Sequence, residues 1–274
     1  MKLGPVKRIT TDGFLKQSPC FSPDGKQIAF VRQVQDEFGI YTVNADGSSL
    51  KRITEPRPDK APQYQPTWSP DGKKIAYVFV TFAGTDGTLH IQTMNPEGKE
   101  VTRIVSGTQF SLQPMWSPDG KQLAFTSMRH GNQEVYRSDA DGKNVIRLTT
   151  DPGLDQNPSW SPDSNRIAFD STRDGNQEVY MMDAADGKNL KRLTNHPSAD
   201  YCPRWSPDGK HIAFVSNRDG NDEIYVMDTE GSGLTNVSHH PSMDKFPCWR
   251  PDGKALLWVS RRDNVSDLYL SEIE

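Results

Sequence analysis

Cysteine is scarce in this chain. There are three, Cys20, Cys202 and Cys248, an odd set with no C-x-x-C spacing. That argues against a disulfide scaffold and against a cysteine-built zinc site. All three are read as small buried thiols in packed strands. No apolar run approaches the roughly 20 residues of a membrane helix, so no membrane insertion is expected. Charge of one sign is not in excess either: 32 Lys and Arg stand against 36 Asp and Glu, a net charge of −4. With no basic stripe, nucleic-acid binding is not expected. The N-terminus, Met1-Lys2-Leu3-Gly4-Pro5-Val6-Lys7-Arg8, lacks the apolar core of a secretory signal. G-x-S-x-G, H-E-x-x-H and a phosphate-binding glycine loop are also missing. No catalytic residue, metal or cofactor is assigned.

Glycine (21) and proline (20) are plentiful, and both fall on a repeat. An anchor of the form aromatic-Ser-Pro-Asp-Gly recurs with its aromatic at Phe21, Trp68, Trp116, Trp160, Trp205 and Trp249. Ser164 replaces the glycine once, and Arg250 replaces the serine once. Ser-Pro-Asp-Gly is type I turn chemistry, so each anchor ends one strand and turns into the next. An apolar run follows, such as Ile28-Ala29-Phe30-Val31 or Ile212-Ala213-Phe214-Val215, apolar on both faces as in a strand packed on two sides. A third strand (Glu223-Ile224-Tyr225-Val226-Met227) and, after an Asp-Gly turn, a fourth (Lys191-Arg192-Leu193-Thr194) complete the unit. Four short strands, here called a to d from inside to outside, in a repeat of about 45 residues describe a propeller blade.

The expected fold is therefore all-β, a six-bladed propeller of four-stranded antiparallel blades in one domain, residues 1–274. The chain opens on a d-type strand, Val6–Thr10, and ends after a c-type strand, Asp267–Leu270, so the first segment should complete the last blade and close the ring. This reading takes the domain as complete and monomeric.

The phrases Leu193-Thr194-Asn195-His196-Pro197, Pro203-Arg204-Trp205-Ser206-Pro207-Asp208-Gly209 and Ser216-Asn217-Arg218-Asp219-Gly220 through Met227 resemble the TolB-like propeller repeat, and the resemblance covers essentially the whole chain. It implies the propeller fold and points to the namesake, a periplasmic component of the Tol–Pal envelope system. That protein carries an additional N-terminal domain and binds a peptidoglycan-associated lipoprotein through its propeller. Related repeats build propellers of some proteases and of a lyase family acting on pectin fragments. The resemblance implies a periplasmic or secreted location, whereas the N-terminus of this chain, with no signal, leaves the cytoplasm open. It transfers no partner-contact residue.

Loop lengths divide the two faces. Antiparallel strands put the a–b and c–d turns on one face, which is uniform. The d–a and b–c connections share the other, called the top. The d–a segment spans 11 residues except on entering blade 2, where it spans 14, and the b–c segment spans 11 except within blade 2, where it spans 15. This blade-2 crown contributes Arg57, Lys60, Tyr64, Phe79, Phe82 and Asp86 as candidate binding residues; a tolerated insertion is the alternative. Eight aromatics lie outside repeat slots, Phe14, Phe38, Tyr64, Phe79, Phe82, Phe110, Tyr201 and Phe246, and all map to the top loops or their edge, where they could anchor a protein interface or seal the funnel.

Five residues before each anchor stand Lys16, Gln63, Ser111, Asp155, Asp200 and Asp244, expected to ring the channel mouth and either hold a cation or steer a basic segment, or to cap their own loops. His196 and His240 share a d–a register beside them, two ligands where a metal site needs three or four. The segments Arg129–Glu134, Arg173–Glu178 and Arg218–Glu223 are hairpin turns rather than calcium loops. The sequence thus points to a non-catalytic binding or scaffold protein with a protein or peptide partner on the top face. The alternative is a lyase or hydrolase acting in the channel on a small or oligosaccharide substrate; no carboxylate pair is singled out for glycoside hydrolysis.

Overall fold

A computed structural model describes residues 2–83, 86–105 and 110–274. The described residues form six four-stranded antiparallel sheets and no helix, so none is long and apolar enough to cross a membrane. Strand a of blades 1 to 6 is Lys16–Phe21, Gln63–Trp68, Ser111–Trp116, Asp155–Trp160, Asp200–Trp205 and Asp244–Trp249. Strands b and c follow in order, as in Arg166–Ser171 and Glu178–Asp183 of blade 4. Each strand d is short, as in Lys191–Arg192. Blade 6 takes its outer strand from the start of the chain: Lys7 pairs with Leu270 and Arg8 with Tyr269. The ring closes as expected.

The apolar cores lie between the blades. Ala29, Ile40 and Ile53 of blade 1 pack with Trp68, Ile75 and Tyr77 of blade 2, and five equivalent clusters complete the circle. This is why strand b is apolar on both faces: one side meets the preceding blade, the other the next. The anchor tryptophan bridges the joint, and the indole of Trp160 donates to the carbonyl of Met115 at 3.1 Å.

The lower face is the uniform turn chemistry read from the sequence. Ser22 Oγ donates to Asp24 at 2.6 Å and accepts the amide of Gln27 at 2.9 Å, and Ser69, Ser117 and Ser161 repeat both contacts. One glycine position there is enforced by packing. Gly98 and Gly142, at φ +81° and +84°, press on the preceding blade so closely that a Cβ would lie 1.7 Å from the carbonyl oxygen of Ile53 or 1.6 Å from that of Ile104.

Candidate functional site

The inner strand reads x-x-x-Pro-x-aromatic in all six blades. The residue before the proline, Ser18, Gln65, Gln113, Asn157, Cys202 or Phe246, sits in the left-handed region with φ between 49° and 58°. Proline disfavours the right-handed helical region for its predecessor, and the missing amide breaks the ladder. A bulge results, with a register shift at this point of every a–b pair. It divides strand a into an upper segment at the top face and a lower segment on the channel wall.

The upper segment corrects one expectation. Lys16, Gln63, Ser111, Asp155, Asp200 and Asp244 are buried and do not form an open ring at the mouth. The backbone amides of Asp155, Asp200 and Asp244 donate to the carbonyls of Gln133, Gln177 and Asp222, next to strand c of the preceding blade. Lys16 there meets Asp267 of blade 6 in a fully buried pair at 2.9 Å, and also bonds Asp12 and the carbonyl of Phe14. Asp155 holds Arg173 through both oxygens at 2.9 and 3.0 Å, and Asp200 holds Arg218 at 2.7 Å. Ser111 faces Ser127 at 3.3 Å. Among the described residues Gln63 Oε1, Asp200 Oδ1 and both oxygens of Asp244 find no hydrogen-bond partner. Burial pushes the Asp244 carboxyl up to about 6; the nearby hydroxyls of Ser260 and Ser238 offset this in part, while the charge of Glu223 adds to it. Burial likewise raises Asp200 and Glu134.

Arginine caps this network. Arg129, Arg173, Arg218 and Arg262 each donate from Nε to the strand-b serine two residues before them, and stack on the tyrosine of strand c at 4.1 to 5.0 Å. Blade 1 uses Arg32, stacked on Phe14 and Tyr41 and paired with Asp12 at 2.8 Å. Blade 2 lacks the hairpin arginine. Arg57, from the d–a insertion, lies 4.2 Å over Phe79 and is clamped by Asp59. The insertion thus supplies an arginine to a blade whose hairpin has none.

The rest of the crown is an extended hairpin rather than a loop: strands Ile75–Ala83 and Asp86–Met94 pair out to Ala83 and Asp86. Phe82 on it is 55% exposed. Tyr64 is half-buried against Phe38 at 5.5 Å, and Lys60 reaches Asp36 of blade 1 at 3.2 Å. The structure does not describe the side chain of Asp86.

The histidines serve the loops. The amides of His196 and His240 donate to Glu178 and Glu223, and their Nδ1 atoms accept from Ser198 and Ser242 at 3.1 and 3.0 Å. Asn176 and Asn221 of the b–c hairpins hold the carbonyls on either side, at His196 and Ser198 and at His240 and Ser242. Among the described residues no three His, Cys, Asp or Glu are grouped to hold a metal.

Just above strand a, every blade carries an apolar residue: Leu15, Pro62, Phe110, Leu154, Ala199 and Met243. All six carbonyls bond the amide where strand b leaves the blade, so the positions are equivalent. Leu15, Phe110, Leu154 and Met243 are 37 to 40% exposed. The sequence reading caught only Phe110; aligning all six repeats one residue before the buried ring would have found the others.

Below the bulge, all six blades line a cavity of about 270 Å³. Phe246 belongs here and not to the top face, as do Cys20 and Cys248, half-buried rather than packed away. Two departures from the repeat were missed. Arg204 occupies a slot held elsewhere by Cys20, Thr67, Met115, Ser159 and Cys248, and Asp170 one held by Val31, Val78, Thr126, Val215 and Val259. Asp170 is buried, accepts from Asn157 Nδ2, the Cys202 amide and Gln177 Nε2, and is raised by burial to about 6.

Fold and channel define a six-bladed β-propeller built of TolB-type repeats. The family model described as the TolB beta propeller domain matches residues 57–199, and the chain belongs to that family. Residues 184–270 match the model of the Tricorn protease N-terminal beta propeller domain. The Tol-Pal system protein TolB of Francisella tularensis subsp. mediasiatica is 45% identical over 53 residues, 19% of this chain and 12% of that protein. The crystal structure of TolB from Acinetobacter baumannii superposes with a TM-score of 0.77 at 27% identity, over 91% of this chain and 64% of that one. This chain thus corresponds to less than two thirds of that protein. An oligogalacturonate lyase in complex with manganese shares the fold alone, with a TM-score of 0.67 at 16% identity over 98% and 93% of the two chains.

Proposed function

We propose that this chain is a non-catalytic binding module that recognises a protein or peptide partner with its top face, as a periplasmic component of a Tol–Pal-like system. The observation that carries the reading is the ring of Leu15, Phe110, Leu154 and Met243 at the channel mouth, four large apolar side chains left half-exposed at equivalent positions. Exposed apolar groups gathered at one place, rimmed by polar residues, are the surface that partners cover. The stacked arginines below the ring hold the loops in place, so binding meets a rigid surface with little ordering cost. The family supports this reading, since the Francisella relative named above is a Tol-Pal system protein.

The test uses the triple variant Phe110→Ser, Leu154→Ser, Met243→Ser. A partner retained by the wild-type protein from an envelope extract of the source organism is purified and its affinity measured for both proteins. The variant should bind at least about tenfold more weakly with an unchanged melting temperature. Equal affinity overturns the reading. Trimming the blade-2 hairpin to the common length shows whether Phe82 adds to the same surface.

A further inference from the structure

The lower channel carries a chemistry that partner recognition at the top does not use. Its lining is proline, tryptophan, thiol, hydroxyl and amide, with one charged side chain, Arg204. Arginines elsewhere on the inner wall are spoken for: Arg173 holds Asp155 and Arg218 holds Asp200. Arg204 makes one hydrogen bond, from Nη1 to the carbonyl of Pro203 at 2.7 Å, and among the described residues no carboxylate lies within ion-pair distance. A guanidinium has five N–H donors. Asp170, the nearby acid, has both oxygens taken by Asn157, Cys202 and Gln177. Arg204 shares the cavity wall with Cys20 of blade 1 and Cys248 of blade 6.

Two amides are oriented to match. Gln65 Oε1 accepts the amide of Gln113 at 2.9 Å, and Gln113 Oε1 accepts the amide of Asn157 at 3.0 Å and the Thr126 hydroxyl at 2.6 Å. Backbone N–H donors fix which atom is oxygen. Both glutamines line the cavity, and among the described residues neither Nε2 has a hydrogen-bond partner. The bulge that creates this arrangement holds both glutamines in a left-handed conformation at φ 53°, a cost that surrounding structure must offset. A lone cation and two unpartnered amide donors, framed by Met115, Phe246 and a ring of prolines, form a site for one negative charge attached to an apolar body.

We infer that the lower channel binds a small organic monocarboxylate, anchored by Arg204 with Gln65 and Gln113 as neutral donors. Guanidinium and carboxylate match in a planar, two-point contact. One cation sets the ligand charge at one. A volume of about 270 Å³ is small for a ligand pocket and suits a small molecule. Its lining includes Pro118, Pro207 and Pro251 of the lower-face turns, so the site stands or falls independently of the top-face reading.

Benzoate, benzamide, acetate and inorganic phosphate serve as probes of the full chain, followed by calorimetry and by the NMR signals of the Gln65 and Gln113 side-chain amides. Benzoate should bind and shift both amide signals, acetate and phosphate should bind at least about tenfold more weakly, and benzamide should not bind. Arg204→Gln should weaken benzoate at least about tenfold, while Lys26→Gln, which removes an exposed cation from the lower face, should change nothing. Four results overturn the proposal: no carboxylate binding up to about 10 mM; equal binding of benzoate and benzamide; phosphate binding tighter than benzoate, which marks a plain anion site; or equal losses in the two variants. If Arg204→Gln does not fold, the amide signals of the wild-type protein decide alone, and their failure to move with benzoate overturns the proposal.

Discussion

The two ends of the inner strand are built on different chemistry, although one six-residue pattern encodes both. Above the bulge the wall is charged and buried: Lys16 is matched by Asp267 of blade 6, and Asp155 and Asp200 by Arg173 and Arg218 of their own blades, while Asp244 is buried without an ion pair among the described residues. Below it the wall is neutral and open, with amides, thiols and a lone arginine around a cavity. At the upper end Lys16 and Asp267 fasten blade 1 to blade 6, Asp155 and Asp200 hold the hairpin arginines of their own blades, and recognition is left to apolar residues one position higher. At the lower end the cation faces the lumen. A charged residue near a propeller channel is therefore informative only once its side of the bulge is known.

The largest test of that contrast is at the ring closure. Asp267→Ala takes away the fully buried partner of Lys16, leaving it Asp12 and the Phe14 carbonyl, and should lower unfolding free energy by about 3 kcal/mol, read from urea denaturation. A loss below about 1 kcal/mol would mean the upper charges are solvated after all. Next comes Asp244→Asn. The folded protein holds the Asp244 proton with a pKa of about 6, against about 4 in the unfolded chain. Stability from this group is therefore lost as pH rises from about 4 to 6. The asparagine should stabilise the fold by on the order of 2 kcal/mol at pH 7, with no gain at pH 3.5. Destabilisation at pH 7 would show that the carboxylate has a partner and the upper network is complete.

A smaller effect belongs to the bulge. Ser18, at φ 49°, should accept glycine with a gain of roughly 0.5–1 kcal/mol, because a side chain is disfavoured in that conformation; a loss would mean the bulge is held by Ser18 itself. Smallest of all, Leu154→Ser and Met243→Ser should each leave stability within about 0.5 kcal/mol on the same denaturation assay. A larger cost would assign the apolar ring to packing and remove it from the binding surface.

Much of this was legible in the sequence. Blade count, strand order, the uniform lower turns and closure by the first strand all follow from a repeat whose anchors, Phe21 to Trp249, are local turn chemistry. Part of the top face was legible too: Phe82 and Phe110 are exposed. What misled was the assumption that strand a runs straight. The six residues five before the anchor then appear to face the channel, as every second residue of a regular strand would, and Phe246 appears to belong to the upper edge. The bulge at Ser18, Gln65, Gln113, Asn157, Cys202 and Phe246 resets that alternation. The blade-2 insertions were visible as lengths, but not that Arg57 returns to cover Phe79, which depends on contacts between distant segments.

The sequence by itself determined the ring, because each repeat has two apolar faces and only a neighbour on both sides buries them. Tertiary structure decided which charges are glue and which are free. Arg218 and Arg204 lie fourteen residues apart in one blade, and their side chains differ only in what other segments bring to them: Asp200 to the first, an open lumen to the second. Ion pairing and desolvation depend on distances between strands, and one sequence does not contain those distances.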